Sequence, residues 1–467
     1  MSATPDEIAA LVQRHYDALP AKRKPAVRAN GLREWVPLAG IVAEGNDKKL
    51  YCISLATGMK CLPASKIPQA QGNVLHDWHA EVLAIRAFNR FVLDECSAVL
   101  QGRSSEFLRR RTSDETAARA GRGWNGQPFA WKDDYQLHMY CSEAPCGDAS
   151  MELVMAAQED ATPWDVPPAT VDDAAATTTT TPTTAPPDPG TLPGRAFFSR
   201  LGVVRRKPAR PDAPPTLSKS CSDKLALKQC ASLLSSPAAL LVDPRRVYLR
   251  TLVLPASRYS EPACRRAFSA GGRMGGFSGE IGGEGGEGGG GGGGCYAFRP
   301  FVVNTTASEF AFSQRTVSLA ATEASKNDNK DKERKTAAGI APSNLAVAWT
   351  RSGLEETTLG GTLQGRKQFD PRGASFASRR KMWALAAEVA SLIEQVERDR
   401  DEEGNEGEDR EADCLVLTEI QKALNAKTYG KMKDSILLEP RREVKEEARR
   451  EALKGWARNM GDEDFTL

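Results

Sequence analysis

Apolar positions along this chain gather in short blocks separated by long polar stretches. Residues 6–18 carry them at helical spacing and read as an amphipathic helix. The runs at 36–43 (VPLAGIVA) and 50–55 (LYCISL) read as strands, with Ala56, Thr57 and Gly58 marking a turn. Residues 79–95 (HAEVLAIRAFNRFVLDE) read as a helix buried around most of its axis, with Asp77 as its N-cap. A strand follows at 136–141, a helix opened by Pro145 runs to about 158, and another strand covers 247–254. A charged helix over 441–457 closes the pattern, which is that of an α/β protein. No run of 18 apolar residues occurs, so no membrane span is predicted.

Five segments break this order. Residues 161–194 are rich in Thr, Pro, Ala and Asp, and 270–294 are nearly all glycine with a few glutamates. Residues 325–337 and 397–413 are polar charged runs, and 102–122 carry several arginines. None has apolar periodicity, so all five are expected to be disordered insertions or loops. The ordered blocks between them hold no internal repeat. The simplest organisation is one catalytic domain over 1–467 with low-complexity insertions, because the residues with chemistry fall in three different blocks.

Composition narrows the function only modestly. Lys and Arg number 63 against 61 acidic residues, a net charge of +2, so any nucleic-acid contact must come from local basic patches. The ten cysteines are scattered and the N-terminal stretch lacks an apolar signal run. The expected compartment is therefore the reducing cytoplasm or nucleus, where cysteines serve as thiols or metal ligands.

The chemistry concentrates at His79-Ala80-Glu81 and Pro145-Cys146-Gly147-Asp148, which match the opening parts of the known zinc-deaminase signature. An imidazole and two thiolates bind zinc and leave a fourth position for water, whose pKa falls to about 7. A carboxylate that stays off the metal can then move protons, which is the expected role of Glu81. Cys146 at a helix start would gain thiolate character from the helix dipole. Residue 149 is alanine, so the second cysteine of the signature is absent and the third ligand must come from elsewhere. Cys221, in the polar segment Ser218-Lys219-Ser220-Cys221-Ser222-Asp223-Lys224, is the best candidate; Cys52, Cys61 and Cys230 read as core.

These motifs in this order resemble the RNA adenosine deaminases, which comprise the double-stranded-RNA editing enzymes and the tRNA-specific adenosine deaminase 1 family. The resemblance extends to Ala56 through Cys61, Leu75-His76-Asp77, Ala341 through Asn344, Trp349 and the tail from Gly455-Trp456 to Asp464-Phe465. It implies a cytidine-deaminase-like mixed sheet flanked by helices and enlarged by a C-terminal helical region. It also implies zinc on His79, Cys146 and Cys221, with Glu81 as the catalytic proton shuttle. Only about 30 residues precede the catalytic block, and Tyr16, Leu19-Pro20 and Lys22 through Pro25 resemble the tRNA branch. That branch implies adenosine 37 of alanine tRNA as substrate. A second implied cofactor is inositol hexakisphosphate in a buried basic pocket, at Arg86, Lys224, Lys381, Lys433, Lys445 and Trp456.

Other features have plainer readings. Arg205-Arg206-Lys207 with Arg210 is either a loop or a contact to the tRNA backbone. The glycine run lacks the lysine of a phosphate loop and reads as a linker. Tyr51 and Trp78 are expected in the core. The alternatives to tRNA deamination are a deaminase of cytidine, free nucleosides or other structured RNA, a purely structural zinc site, and an inactive RNA-binding subunit.

Overall fold

The two apolar runs at 38–57 pair into an antiparallel hairpin, β1 (Leu38–Gly45) and β2 (Leu50–Thr57), at the centre of an eight-stranded sheet. The structure, a computed structural model, describes residues 3–117, 124–157, 192–193, 198–207, 213–277, 280–281, 295–327, 339–402 and 410–467. The remaining sheet strands are β3 (Tyr135–Cys141), β4 (Leu249–Pro255), β5 (Val302–Thr306), β6 (Leu345–Thr350), β7 (Glu355–Leu359) and β8 (Thr362–Leu363). Their spatial order is β5-β4-β3-β1-β2-β6-β7-β8. β4 is parallel to both β3 and β5, and every other neighbouring pair is antiparallel. This is the mixed sheet expected from the sequence.

Each face of the sheet has its own apolar cluster. On one side, helix α1 (Pro5–Asp17) lays Ile8, Ala9, Val12 and Tyr16 on Leu38, Val42, Leu55 and Val347. A capping box between Thr4 and Glu7 fixes its start. On the other side lies α2 (Ala80–Leu100), packed against β2 and buried along nearly its whole length. Sheet and C-terminal helices cover α2 from opposite directions, which explains why its sequence is apolar all round.

Several boundaries differ from the sequence reading. The N-cap of α2 is His79, and the Asp77 carboxylate instead accepts the His79 backbone N–H at 3.0 Å. Pro145 does not open a helix. The chain passes through Gly147 at φ +102°, makes a short 3₁₀ turn at Asp148–Ser150, and only then forms α3 (Met151–Ala156). Gly147 is required there because a Cβ would collide with Ser220, the cap of α4 (Cys221–Ala231). The C-terminal region forms α5 (Arg379–Glu402), α6 (Arg410–Leu424), α7 (Tyr429–Lys433) and α8 (Glu439–Glu451). The last helix thus stops short of 457, with Gly455 in the left-handed region. Trp383 is fully buried and donates to the Leu424 carbonyl at 2.7 Å, while Phe465 from the tail stacks on Tyr429.

The expected insertions are narrower than the sequence suggested. Within 102–122, a strand at Leu108–Arg110 pairs with Phe129–Trp131, and Phe107 and Leu108 are buried. Residues 270–277 also fold, with Met274 and Phe277 in the core. Helices extend into the ends of 325–337 and 397–413. Residues 118–122, 278–279, 282–294, 328–337 and 403–409, and all of 161–194 except 192–193, lie outside the described residues. No described helix is long and apolar enough to cross a membrane.

Gly58 ends β2 at φ +138°, and a Cβ there would land on the Trp78 carbonyl oxygen and 2.8 Å from Ala346 Cβ. Gly58→Ala should therefore cost about 3 kcal/mol, from backbone strain plus overpacking. Chemical denaturation should show the loss as a lower midpoint at unchanged slope.

Candidate active site

The loop between β2 and α2 is zipped to itself. Gly58 and Lys60 carbonyls accept the Ala80 and Trp78 N–H groups at 2.9 and 3.0 Å, and Cys61 pairs with Asp77 across the loop. This places His79 and Glu81 at the first turn of α2, two residues apart at one opening. Cys146 arrives from the end of β3. Cys221 is the first residue of α4, whose cap Ser220 accepts the Asp223 N–H at 3.1 Å. The Cys221 N–H donates to Cys146 Sγ at 3.3 Å. Cys146 therefore sits at a helix N-terminus as expected, but at that of α4 rather than of its own segment.

Asp77 is the hub of the site. Its Oδ1 accepts from the His79 backbone N–H and from His79 Nδ1 at 2.9 Å. Its Oδ2 accepts from Lys207 Nζ at 2.9 Å, from Ser218 Oγ at 2.6 Å and from Lys224 Nζ. Burial alone would raise the Asp77 carboxyl, but Lys207, Lys224 and His79 together hold it well below the usual range. Lys207 also reaches Cys221 Sγ at 3.2 Å. The hydrogen bond with Cys221, opposed by burial and helped by Lys207, holds Cys146 well below the usual thiol range. Cys221 is pushed up, first by burial and then by Cys146. One thiolate thus forms readily, and the second awaits a cation.

The tightest metal-sized group is not the expected trio. Cys61, Asp77 and His79 have ligand atoms within 4.8 Å of one another, with Cys61 Sγ 3.7 Å from His79 Nδ1. Cys61 is therefore a site residue and not core. Yet Asp77 already accepts five donors, and Nδ1 is committed to it, the usual arrangement of a carboxylate that orients a ligating imidazole through its other nitrogen. The His79 ring also reaches Cys146. The donor chemistry favours His79 with the two thiols of Cys146 and Cys221, Asp77 orienting.

Glu81 is 6% exposed, and its carboxyl is raised by burial first and by Cys146 second. It lines a cleft of about 800 Å³ together with His79, Cys146, Lys207 and the apolar side chains Trp35, Pro37, Met59, Val154 and Pro342. Glu143 lines the same cleft, paired with Arg258 at 2.9 Å.

Behind the site, α8, α4 and the first turn of α5 close around a cluster of cations. Lys445 is pushed well down by burial, then by Arg441, Lys228, Arg449 and Lys433. Lys433 is lowered by burial and Arg379, and Arg86 falls to about 10. Lys219 falls to about 7, by burial and then Lys224 and Arg449. Trp456 is half-buried with Lys219 and Arg449 near its ring. Lys381, by contrast, is exposed on the first turn of α5; Arg379, two residues earlier, is the side chain that turns inward. Among the described residues neither the Lys433 nor the Lys445 ammonium has a hydrogen bond or ion pair, and Arg449 Nε is buried without a partner.

Comparison with known proteins agrees with this geometry. An adenosine-deaminase (editase) domain profile matches residues 54–278. The chain is 38% identical over 309 residues to a fission-yeast (Schizosaccharomyces pombe) protein, tRNA-specific adenosine deaminase 1, covering 66% of this chain and 69% of that one. This chain belongs to the tRNA-specific adenosine deaminase 1 family. The budding-yeast (Saccharomyces cerevisiae) member is 35% identical over 261 residues, which span 54% of this chain and 58% of that one. The human member is 30% identical over 164 residues, 32% of this chain and 29% of that one.

Within this family member, sequence reasoning missed Cys61, Lys207 as a site residue, and Arg379. Arg205 and Lys207, read as part of either a loop or a tRNA-backbone contact, are 1% and 5% exposed: Lys207 serves Asp77, and Arg205 packs beside Asp223. Arg206 does line the cleft, and Arg210 lies outside the described residues. Tyr51 packs at the core margin against Phe107, and Trp78 is in the core. The bridge of Cys61 to Asp77 had a sequence signal in the zipped loop, whereas Lys207 had none, because Asp77 lies 130 residues away.

The two donor sets separate in a metal assay. Cys146→Ser and Cys221→Ser should each lose most bound zinc by mass spectrometry of the purified protein, while Cys61→Ser should keep it. Zinc lost on Cys61→Ser but kept on Cys221→Ser would assign the ion to the other set.

Proposed function

We propose that this chain hydrolyses adenosine to inosine in tRNA, releasing ammonia, at the cleft that holds His79 and Glu81. The observation that carries this reading is the buried Glu81 carboxylate beside an imidazole and two thiols in a cleft open to solvent. The names of its relatives support the substrate, tRNA, and the reaction. The finer assignment, adenosine 37 of alanine tRNA, rests on family resemblance.

A zinc ion on His79, Cys146 and Cys221 would supply an acidified water as nucleophile. Glu81 Oε would take one proton from the attacking water and pass it to the purine ring nitrogen, then take the remaining hydroxyl proton and pass it to the amine departing from C6 as ammonia. Burial suits this, because a carboxyl raised above its ordinary value holds a transferred proton more readily before returning it. Asp77 holds the His79 ring in place, and Lys207 keeps Asp77 ionised. The target base must leave its stack to enter the cleft, a cost of a few kcal/mol that is smaller in an anticodon loop than in a duplex.

The basic cluster fits inositol hexakisphosphate, since Lys433, Lys445 and Arg449 Nε lack hydrogen-bond or ion-pair partners among the described residues and such cations call for a polyanion. Arg86, Lys224, Arg379, Lys433, Lys445 and Trp456 are the residues we assign to it, with Arg379 replacing Lys381.

Glu81→Gln should keep its zinc and its folding midpoint while inosine formation in tRNA falls by about 10²–10⁴-fold; undiminished activity would refute the role. For the polyanion, the sign follows from the lowered lysines. Lys219 has a folded value of about 7 against 10.5 for an ordinary lysine, so between those pH values the unfolded chain binds more protons. Protein stripped of polyanion should therefore gain stability as pH rises from 7 to 9, and protein reloaded with inositol hexakisphosphate should lose that slope. Thermal melts across pH would show it.

A further inference from the structure

We propose that Trp35 is the stacking platform for the nucleotide next to the deaminated adenosine. The inference rests on the tRNA reading above. Among the described residues Trp35 is the one tryptophan outside both apolar clusters: Trp78, Trp131 and Trp383 are core, and Trp124, Trp349 and Trp456 pack against it. Trp131, Trp349, Trp383 and Trp456 also have an aromatic or cationic partner on their rings, and Trp35 has none among the described residues. A half-buried indole that lines a reaction cleft without such partners can offer a face to a base.

Its backbone is held rigidly. Trp35 ends the strand Arg33–Trp35, which pairs in parallel with Ile340–Pro342. Its carbonyl accepts the Ser343 N–H at 2.9 Å, and the next N–H, of Val36, donates to the Phe312 carbonyl at 2.9 Å. Rigid placement lets an aromatic side chain bind without first paying to be ordered. Pro37, Met59 and Pro342 line the cleft with it, so this part of the wall is apolar.

Another rim segment supplies the charge. Arg206 lines the same cleft, and its Nε is buried without a hydrogen-bond partner among the described residues. Aromatic stacking for bases and arginine for phosphates is the pairing by which single-stranded nucleic acid is gripped. Once the target adenosine is extruded toward Glu81, its neighbour is unstacked on one side and needs a new face.

The test uses the full chain and an anticodon stem-loop of alanine tRNA with 2-aminopurine either 5′ or 3′ of the target. Binding to Glu81→Gln protein should quench one of the two probes, and Glu81→Gln with Trp35→Ala should bind without that quench, while Trp35→Phe retains it. In the otherwise wild-type enzyme, Trp35→Ala should lower kcat/KM by about ten- to hundredfold with zinc content unchanged. An abasic site at the quenched position should cost the wild-type enzyme the same factor and cost Trp35→Ala nothing more. Multiplying effects, or quenching that survives Trp35→Ala, would overturn the stacking role. Trp35→Leu, which keeps an apolar side chain at the wall, takes the place of Trp35→Ala in the same cycle if the alanine variant fails to fold. RNA that does not bind at all would overturn the tRNA reading instead.

Discussion

A single buried carboxylate organises this protein's chemistry. Asp77 is 5% exposed and takes five donors, two from His79 and one each from Lys207, Ser218 and Lys224. Breaking a buried pair by removing one partner costs about 3–5 kcal/mol, because the other charge is stranded. Here one anion neutralises two ammonium groups, so its loss would strand both. The arrangement joins segments 130 and 147 residues apart into one unit. It also connects the reaction cleft to the basic cluster behind it. Lys207 reaches Cys221 on the cleft side, and Lys224 lies beside Lys219 of the basic cluster.

The sheet explains why the site can be built from such distant parts. β2 and α2 deliver the histidine and glutamate, the end of β3 delivers the first thiol, and the start of α4 delivers the second. Each of these is an element end, where backbone N–H groups are free and helix dipoles are strongest. The contact from the Cys221 N–H to Cys146 Sγ closes this group. Insertions between the blocks then cost little in stability, since they leave the element ends where they are.

Much of this was legible in the residues. Nearly continuous apolar runs gave β1 to β4 within two or three residues, because these strands are covered on both faces. That His79, Glu81 and Cys146 line one cleft, with Cys221 beside Cys146, was foreshadowed by motifs whose order resembles that of a family. What could not be read was long-range pairing. Lys207 looked like part of a basic RNA-binding run because nothing local marks a lysine as the partner of a distant aspartate. Lys381 and Arg379 differ by two residues, and only the rotation of α5 decides which points inward. Segment 102–122 looked polar because its buried residues, Phe107, Leu108 and Arg111, are few and the arginine is satisfied by the carbonyl of Gln127 and by Asn125.

The C-terminal tail ties these levels together. Asp462 accepts the Gly72 N–H at 2.8 Å and His76 Nε2 at 2.8 Å, and Arg379 reaches it at 3.3 Å. His76 is pushed down to about 4 by burial and then by Arg379, so at neutral pH it is an uncharged donor to Asp462. The tail therefore clamps the loop that carries Asp77 and His79, using the same arginine that faces the cation cluster. Filling that cluster with an anion would relieve repulsion on Arg379 and Lys433 and tighten the clamp. An anion in that cluster would then be coupled to the reaction cleft through packing rather than through contact with substrate. A change at either end is felt at the imidazole, because the loop between them has little room to move: Gly72 already meets Phe465, and Gly58 meets Trp78.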